Sequence, residues 1–165
     1  MNSKTTNVVI AGIGGQGVIR ASDILADAAF RAGRDVKKAE VHGMSQRGGS
    51  VTTDVRFGER IWSPMVPEGE ADFLVVLEDT QVDPTRHMLA PGGVLLMAGE
   101  IDVGSLPTAK ALNVAMLGRL STFLDIEETT WLDAVRTAFP EKLYEANLAA
   151  FRTGQAIGRK EQSDA

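Results

Sequence analysis

The start of the chain shows two different patterns of hydrophobic residues. Residues 7–11 form a short run of apolar, mostly β-branched side chains that ends in glycines, which is typical of a buried strand. In residues 18–32 the apolar side chains recur at helical spacing, and Gly33 stands where a helix would stop. The sequence therefore predicts a strand that is followed closely by a helix.

Two further strands are predicted before Gly58. Residues 35–41 form one strand candidate, and residues 51–57 alternate apolar and polar side chains, as expected of a half-buried strand. The polar, glycine-rich segment between them predicts a loop. Gly58 and Glu59 predict a turn, after which Ile61 and Trp62 are expected to begin a returning antiparallel strand.

Apolar strands continue to alternate with helices in the second half of the chain. Strands are predicted over residues 73–77 and 94–97, and helices over residues 79–89, 108–124, 129–138 and 141–159. This order predicts an α/β fold in three layers, with a mainly parallel sheet, helices on both faces and an antiparallel hairpin as an addition. We expect a single domain over residues 1–165, with a frayed tail from about residue 160.

Charge and composition exclude several classes of function. The net charge is −5 and the basic residues are scattered, so no nucleic-acid partner is expected. No stretch approaches the roughly 20 apolar residues of a membrane span, and the polar N-terminus lacks the apolar core of a signal peptide. We therefore expect a cytoplasmic protein with no membrane partner. The chain has no cysteine, so it cannot itself hold zinc or iron–sulfur clusters through thiolates.

The strongest local motif is a GxGxxG pattern at Gly12, Gly14 and Gly17, between the first predicted strand and helix. Glycines there permit a tight turn, close approach of a ligand and close packing of the helix on the strand, and free amides at the helix start favour an anion. Glu40, near the end of the next predicted strand, stands roughly where a ribose-binding carboxylate is expected. Gln16 is not required by a phosphate turn. The motif is compatible both with ligand binding and with a turn that only packs the helix.

A second motif spans residues 40–50. It carries a carboxylate, an imidazole, a guanidinium, an amide and two hydroxyls in eleven residues, and such a loop is costly to bury without a ligand or partner. Arg47 offers a planar fork that suits a carboxylate or phosphate, and His42 can titrate near neutral pH, although a lone histidine is more often structural. His42 and His87 are the only histidines, and no metal site is expected.

The two motifs together are similar to a known family. In this order they resemble the gamma-type domain of 2-oxoacid:ferredoxin oxidoreductases, and the form of residues 42–49 resembles the beta subunit of the indolepyruvate type. The resemblance extends over nearly the whole chain. Further matching positions are Ser63, Pro64, Pro67, Glu68, Gly69, Glu70, Ala71, Asp72, Asn113, Met116, Leu117, Gly118, Asn147, Ala150, Phe151 and Gly154.

The resemblance implies a supporting role in a larger enzyme. Members of this family decarboxylate a 2-oxoacid oxidatively to an acyl-CoA. They use thiamine diphosphate with Mg²⁺ and iron–sulfur clusters, and coenzyme A and ferredoxin are the co-substrates. The chain lacks both the cysteines and the thiamine-diphosphate motif, so these cofactors are expected on a large partner subunit, and the chain is expected to be inactive alone with no catalytic residue of its own. The apolar residues Trp62, Met65 and Val66 are expected to be exposed for contact with that partner.

By the same resemblance, two segments are expected to face the partner near substrate or coenzyme A. The residues expected to bind there are Gly12, Gly14, Gly15, Gln16, Gly17, His42, Ser45, Gln46, Arg47, Gly48 and Gly49. Arg47 is equally compatible with an interface salt bridge. A gamma subunit of a pyruvate or 2-oxoglutarate enzyme stays an alternative, as do a free-standing dinucleotide-dependent oxidoreductase and a regulatory nucleotide-binding module.

Overall fold

A computed structural model of the chain describes residues 4–43 and 49–165. The described part holds five strands, β1 (Thr6–Ile13), β2 (Asp35–His42), β3 (Ser50–Gly58), β4 (Ala71–Val76) and β5 (Leu89–Met97). They form one sheet in the order β2-β3-β1-β4-β5. β3 is antiparallel to both of its neighbours, whereas β1, β4 and β5 are parallel to one another. Four strands therefore run in one direction and β3 runs in the other.

The antiparallel hairpin is present, but not where the sequence predicted it. β2 and β3 form it, with Asp35 opposite Gly58 and His42 opposite Val51. The expected return strand at Ile61 and Trp62 is wrong, because no strand is assigned between β3 and β4. The backbone N–H of Ile61 instead donates to the Asp35 carboxylate at 2.7 Å, so the chain leaves the sheet there and crosses its face.

Five α-helices accompany the strands in the described residues: α1 (Val18–Arg31), α2 (Val82–Thr85), α3 (Leu112–Ser121), α4 (Glu128–Ala138) and α5 (Tyr144–Ser163). The helix predicted over residues 79–89 is a single α-helical turn flanked by 3₁₀ turns. Helix α5 continues to Ser163, so the tail expected to be frayed is helical up to that residue. No helix in the described ranges is long and apolar enough to span a membrane.

The α/β fold is confirmed, and its helices are divided unequally between the two faces of the sheet. The four longer helices cover one face, where side chains such as Ile10 and Val75 pack with Leu117, Trp131 and Phe151. On the other face, residues such as Val9 and Leu74 pack against Val66 and Val82, from the segment 59–70 and the short α2. The carboxyl ends of β1 and β4 emerge at one edge, where the glycine turn lies.

Helices α3 and α5 cross at very short range. Gly118 and Gly154 face each other's helix backbones, and a Cβ on Gly118 would lie 2.8 Å from the carbonyl carbon of Phe151. The crossing matters for the site, because α3 carries Asn113 at its start.

Candidate functional site

The predicted strand–turn–helix arrangement is present around the glycine turn (residues 12–17). β1 ends at Ile13, and α1 begins at Val18 directly after Gly17. Gly15 and Gly17 have φ angles of +89° and +79°, in the left-handed region that favours glycine. The side-chain amide of Asn113 donates to the Gly17 carbonyl at 3.2 Å and occupies the space that a Cβ on Gly17 would need. The start of α3 thus fixes the start of α1.

The side chain of Gln16 folds back into the turn. Its Oε1 accepts a hydrogen bond from the Ile13 backbone N–H at 2.9 Å, and its Nε2 donates to the Glu78 carboxylate at 2.9 Å. Glu78 was not among the predicted site residues. It follows the buried end of β4, the parallel neighbour of β1, and that position is the signal that could have found it. A carboxylate beside the turn makes the turn less favourable for an anion.

The described ends of the second loop (residues 42–49) lie next to the glycine turn and are joined to their surroundings by backbone hydrogen bonds. Gly14 N–H donates to the Gly49 carbonyl at 2.9 Å, and Gly43 N–H donates to the Ser50 carbonyl at 2.6 Å. The two ends of the loop are therefore held next to the turn, at the same edge of the sheet. Predicted site residues Ser45, Gln46, Arg47 and Gly48 lie outside the described residues, and their roles stay predictions.

His42 ends β2 with its side chain exposed. Its Nε2 lies 3.7 Å from the Glu40 carboxylate. The ammonium of Lys38, hydrogen-bonded to Glu40, lowers the pKa of that carboxyl. The pKa of Lys38 is itself raised: burial lowers it, but hydrogen bonds to Asp23 and Glu40 outweigh that effect. Glu40 therefore belongs to a local ion-pair group on β2.

This placement of Glu40 contradicts its expected role as a ribose ligand. β3 lies between β2 and β1, so Glu40 is two strand spacings, or about 10 Å, away from the strand that carries the glycine turn. In a dinucleotide-binding fold the acidic residue lies on the strand next to the turn. Together with Glu78 beside the turn, the strand order argues against a dinucleotide site.

Two clefts flank the glycine turn. One, of about 540 Å³, lies between the turn, Leu77 and the segment 109–113, and Lys110 supplies its cationic side chain. The other, of about 660 Å³, lies between the turn, the first turns of α1, Val51 and His42. A third cavity of about 450 Å³ lies at the opposite end of the sheet, beside Lys4, Asp72 and Phe123, and is lined by no residue of the glycine turn or the second loop.

Within residues 4–43 and 49–165, no three His, Cys, Asp or Glu side chains are grouped so that they could hold a metal ion. The chain also has no cysteine. A thiolate-ligated iron–sulfur cluster therefore does not fit this chain.

Most of the chain matches a known protein-family model. The model described as pyruvate ferredoxin/flavodoxin oxidoreductase matches residues 7–110, which include the glycine turn, the second loop and Glu78. The chain belongs to this family. The resemblance stated from the two motifs is thereby confirmed.

Curated relatives carry several substrate names. Indolepyruvate oxidoreductase subunit IorB of Thermococcus kodakarensis is 48% identical over 92 residues, which cover 56% of this chain and 46% of that protein. The subunit of the same name from Methanothermobacter thermautotrophicus is 30% identical over 187 aligned residues, covering 90% of this chain and 95% of that protein. The 2-oxoglutarate synthase subunit KorC of Archaeoglobus fulgidus is 28% identical and covers 95% and 90%. The match to the Thermococcus protein thus spans less than half of that relative.

Solved structures support the fold. The gamma subunit of the keto/oxoacid ferredoxin oxidoreductase of Geobacter sulfurreducens PCA superposes with a TM-score of 0.79 at 23% identity, covering 96% of this chain and 98% of that one. The 2-oxoglutarate:ferredoxin oxidoreductase of Magnetococcus marinus gives a TM-score of 0.84 at 21% identity, covering 96% of this chain and 32% of that one. At these identities the likeness establishes the fold alone.

Proposed function

We propose that the chain is the small, cluster-free subunit of a thiamine-diphosphate-dependent 2-oxoacid:ferredoxin oxidoreductase that acts on indolepyruvate or another arylpyruvate. The observation that carries the proposal is the hydrogen bond from Gly14 to Gly49, because it joins the two motifs of the family resemblance at one edge of the sheet. In the proposed reaction a 2-oxoacid anion and coenzyme A give acyl-CoA, CO₂, one proton and two electrons, which pass to ferredoxin.

A large partner subunit supplies thiamine diphosphate, Mg²⁺ and the iron–sulfur clusters in this proposal, since this chain has no cysteine and no thiamine-diphosphate motif. The contribution of this chain is positional. Its glycine turn and second loop face the partner and close the pocket around the substrate or coenzyme A. The clefts on either side of the turn offer room for such a contact. Ferredoxin interacts with the complex through the large subunit.

The substrate assignment is tested with the assembled complex. The chain is co-expressed with its large subunit, and coenzyme A-dependent acceptor reduction is followed with indolepyruvate, phenylpyruvate, pyruvate and 2-oxoglutarate. The highest kcat/KM is expected for the two arylpyruvates. A preference for pyruvate or 2-oxoglutarate would replace the indolepyruvate assignment within the family. The isolated chain should be colourless, contain no stoichiometric iron and show no turnover, and activity of the chain alone would refute the subunit proposal.

The segment 59–70 supports a partner interface on the thinly covered face of the sheet. Trp62 is 80% exposed and Met65 50%, with the Arg60 guanidinium 4.4 Å from the centre of the Trp62 ring. Val66 was expected to be exposed as well, but it is only 4% exposed. It is buried because it anchors the segment: its N–H donates to the buried Asp54 carboxylate at 2.9 Å.

The same anchoring makes the interface testable. Arg56 donates hydrogen bonds to the carbonyls of Ser63 and Met65, so the segment that carries Trp62 is fixed. The contact between Arg60 and Trp62 is also typical of interface hot spots, in which arginine and tryptophan are enriched. Trp62→Ser should weaken assembly with the large subunit at least about tenfold. Phe30→Ser is the matched control, because Phe30 is 70% exposed at the end of α1 on the other side of the sheet. Equal effects of the two changes on the dissociation constant would contradict the placement of the interface.

A further inference from the structure

Glu78 is placed beside the glycine turn by the parallel pairing of β4 with β1. Ala11 and Val76 are opposite each other in the register, and the Leu77 N–H donates to the Ala11 carbonyl at 2.8 Å. The next residue, Glu78, is thereby brought level with the turn, where its carboxylate accepts from Gln16 Nε2 at 2.9 Å. Glu78 belongs to none of the motifs that carry the family resemblance.

The Gln16 carboxamide can bind in only one orientation. Its oxygen faces the Ile13 N–H, a donor, and its nitrogen faces the Glu78 carboxylate, an acceptor. A flipped Gln16 amide would place its oxygen against the Glu78 carboxylate and its NH₂ group against the Ile13 N–H. Glu78 thus fixes the orientation of Gln16, and Gln16 fixes the end of β1.

Gly12 leaves room for this arrangement. A Cβ at position 12 would lie 2.8 Å from Gln16 Oε1 and 2.7 Å from a methyl carbon of Val18, both closer than ordinary contact. The folded-back side chain of Gln16 and the glycine at position 12 therefore fit each other. Gly12, the first glycine of the turn, thus makes room for the side chain of Gln16.

We propose that Glu78 is a positioning residue for the glycine turn and that it acts through Gln16. This role requires that residue 78 accepts a hydrogen bond from Gln16 Nε2, and it does not require a negative charge at residue 78. The turn in turn holds the second loop, because Gly14 N–H binds the Gly49 carbonyl. This inference rests on the proposed function, in which the turn and the second loop close the pocket of the assembled enzyme.

Four variants separate position from charge. Glu78→Gln keeps an acceptor for Gln16 Nε2 and removes the charge, whereas Glu78→Ala removes both. Gln16→Glu places a second carboxylate against Glu78 at hydrogen-bond distance. The double change Gln16→Glu with Glu78→Gln restores a donor–acceptor pair with reversed polarity. Glu145→Gln, on the exposed surface of α5, is the matched control for loss of one carboxylate.

The kinetic readout is kcat/KM of the complex with its best 2-oxoacid. Glu78→Ala and Gln16→Glu should each lose about tenfold to 100-fold, as expected when a positioning contact is displaced. Glu78→Gln and Glu145→Gln should stay within about twofold of the parent, and the double change should recover most of the loss of Gln16→Glu. Unimpaired Glu78→Ala, a Glu78→Gln variant as impaired as Glu78→Ala, or a double change no better than Gln16→Glu would each overturn the proposal.

A second readout keeps this inference separable from the proposed function. Hydrogen exchange of the Ile13 amide is measured in the purified chain, where the amide should be protected in the parent, less protected in Gln16→Glu and protected again in the double change. If the parent complex oxidises no 2-oxoacid, the proposed function fails while the exchange pattern still decides on Glu78. Equal Ile13 protection in all variants would overturn the role of Glu78.

Discussion

Gly17 and Gly15 form a matched pair for testing how the glycine turn is built. Both have positive φ angles, +79° and +89°. A Cβ on Gly15 would meet no atom within 4 Å, whereas a Cβ on Gly17 would lie 3.1 Å from Asn113 Cγ and closer still to its Nδ2. Gly15→Ala therefore introduces only backbone strain. Gly17→Ala introduces the same strain together with a steric conflict against α3.

The expected magnitudes follow from these two terms. A non-glycine residue in the left-handed region costs roughly 1–2 kcal/mol, so Gly15→Ala should lower the free energy of unfolding by about that amount. Forcing one carbon into a packed site costs about 1–3 kcal/mol more, so Gly17→Ala should lower it by about 2–5 kcal/mol. Urea unfolding of the purified chain, with the midpoint and slope fitted together, measures both changes.

Asn113→Ala completes the test as a double-mutant cycle. Alone, it removes the hydrogen bond to the Gly17 carbonyl and should cost about 0.5–1.5 kcal/mol or more. Combined with Gly17→Ala, Asn113→Ala also removes the steric conflict. The double variant should therefore lose less free energy of unfolding than the sum of the losses in the two single variants. Equal losses for Gly15→Ala and Gly17→Ala, or strict additivity with Asn113→Ala, would refute the proposed contact between the turn and α3.

Three further outcomes are expected. Gly118→Ala should destabilise the chain by about 1–3 kcal/mol in urea unfolding, although Ala is the better helix former, because its Cβ would meet the Phe151 backbone. Burial raises the pKa of Asp54, so the parent should lose stability relative to Asp54→Asn as pH rises above about 4, in thermal melts. The third outcome rests on the sequence alone: Arg47→Lys should lower kcat/KM of the complex about tenfold or more without changing its melting temperature. Parent-like turnover of both Arg47→Lys and Arg47→Ala would exclude the predicted contact of Arg47 with a carboxylate or phosphate.

The spacing of apolar residues predicted the strands and the helix around the glycine turn well, because in each of them the apolar residues follow one clear pattern. β1, α1, β2 and β3 begin and end within about a residue or two of their predicted bounds. β5 was predicted to begin at residue 94, but it begins at Leu89 and runs through Pro91, Gly92 and Gly93. These residues predict a break in a central strand. β5 is an edge strand, and there a proline and glycines are tolerated.

The site was only partly accessible from sequence, since its remaining members come from distant elements. Residues 12–17 and 42–49 were found as motifs, because dense glycines and polar groups are visible in the chain itself. Glu78 reaches Gln16 across 62 positions and Asn113 reaches Gly17 across 96. Both contacts depend on which strand and which helix lie next to β1, and no periodicity in the sequence records that choice.

Strand order also argues against the dinucleotide interpretation of the same motif. GxGxxG followed by an acid near the end of the next strand describes a dinucleotide site only if that strand lies beside the first. Here β3 is inserted between them in the reverse direction, so the Glu40 carboxylate is carried away from the turn and pairs with Lys38. The acid that does reach the turn is Glu78, at the end of β4, the parallel neighbour of β1. Its carboxylate binds the turn's own Gln16, so the position that would favour a phosphate carries a negative charge instead.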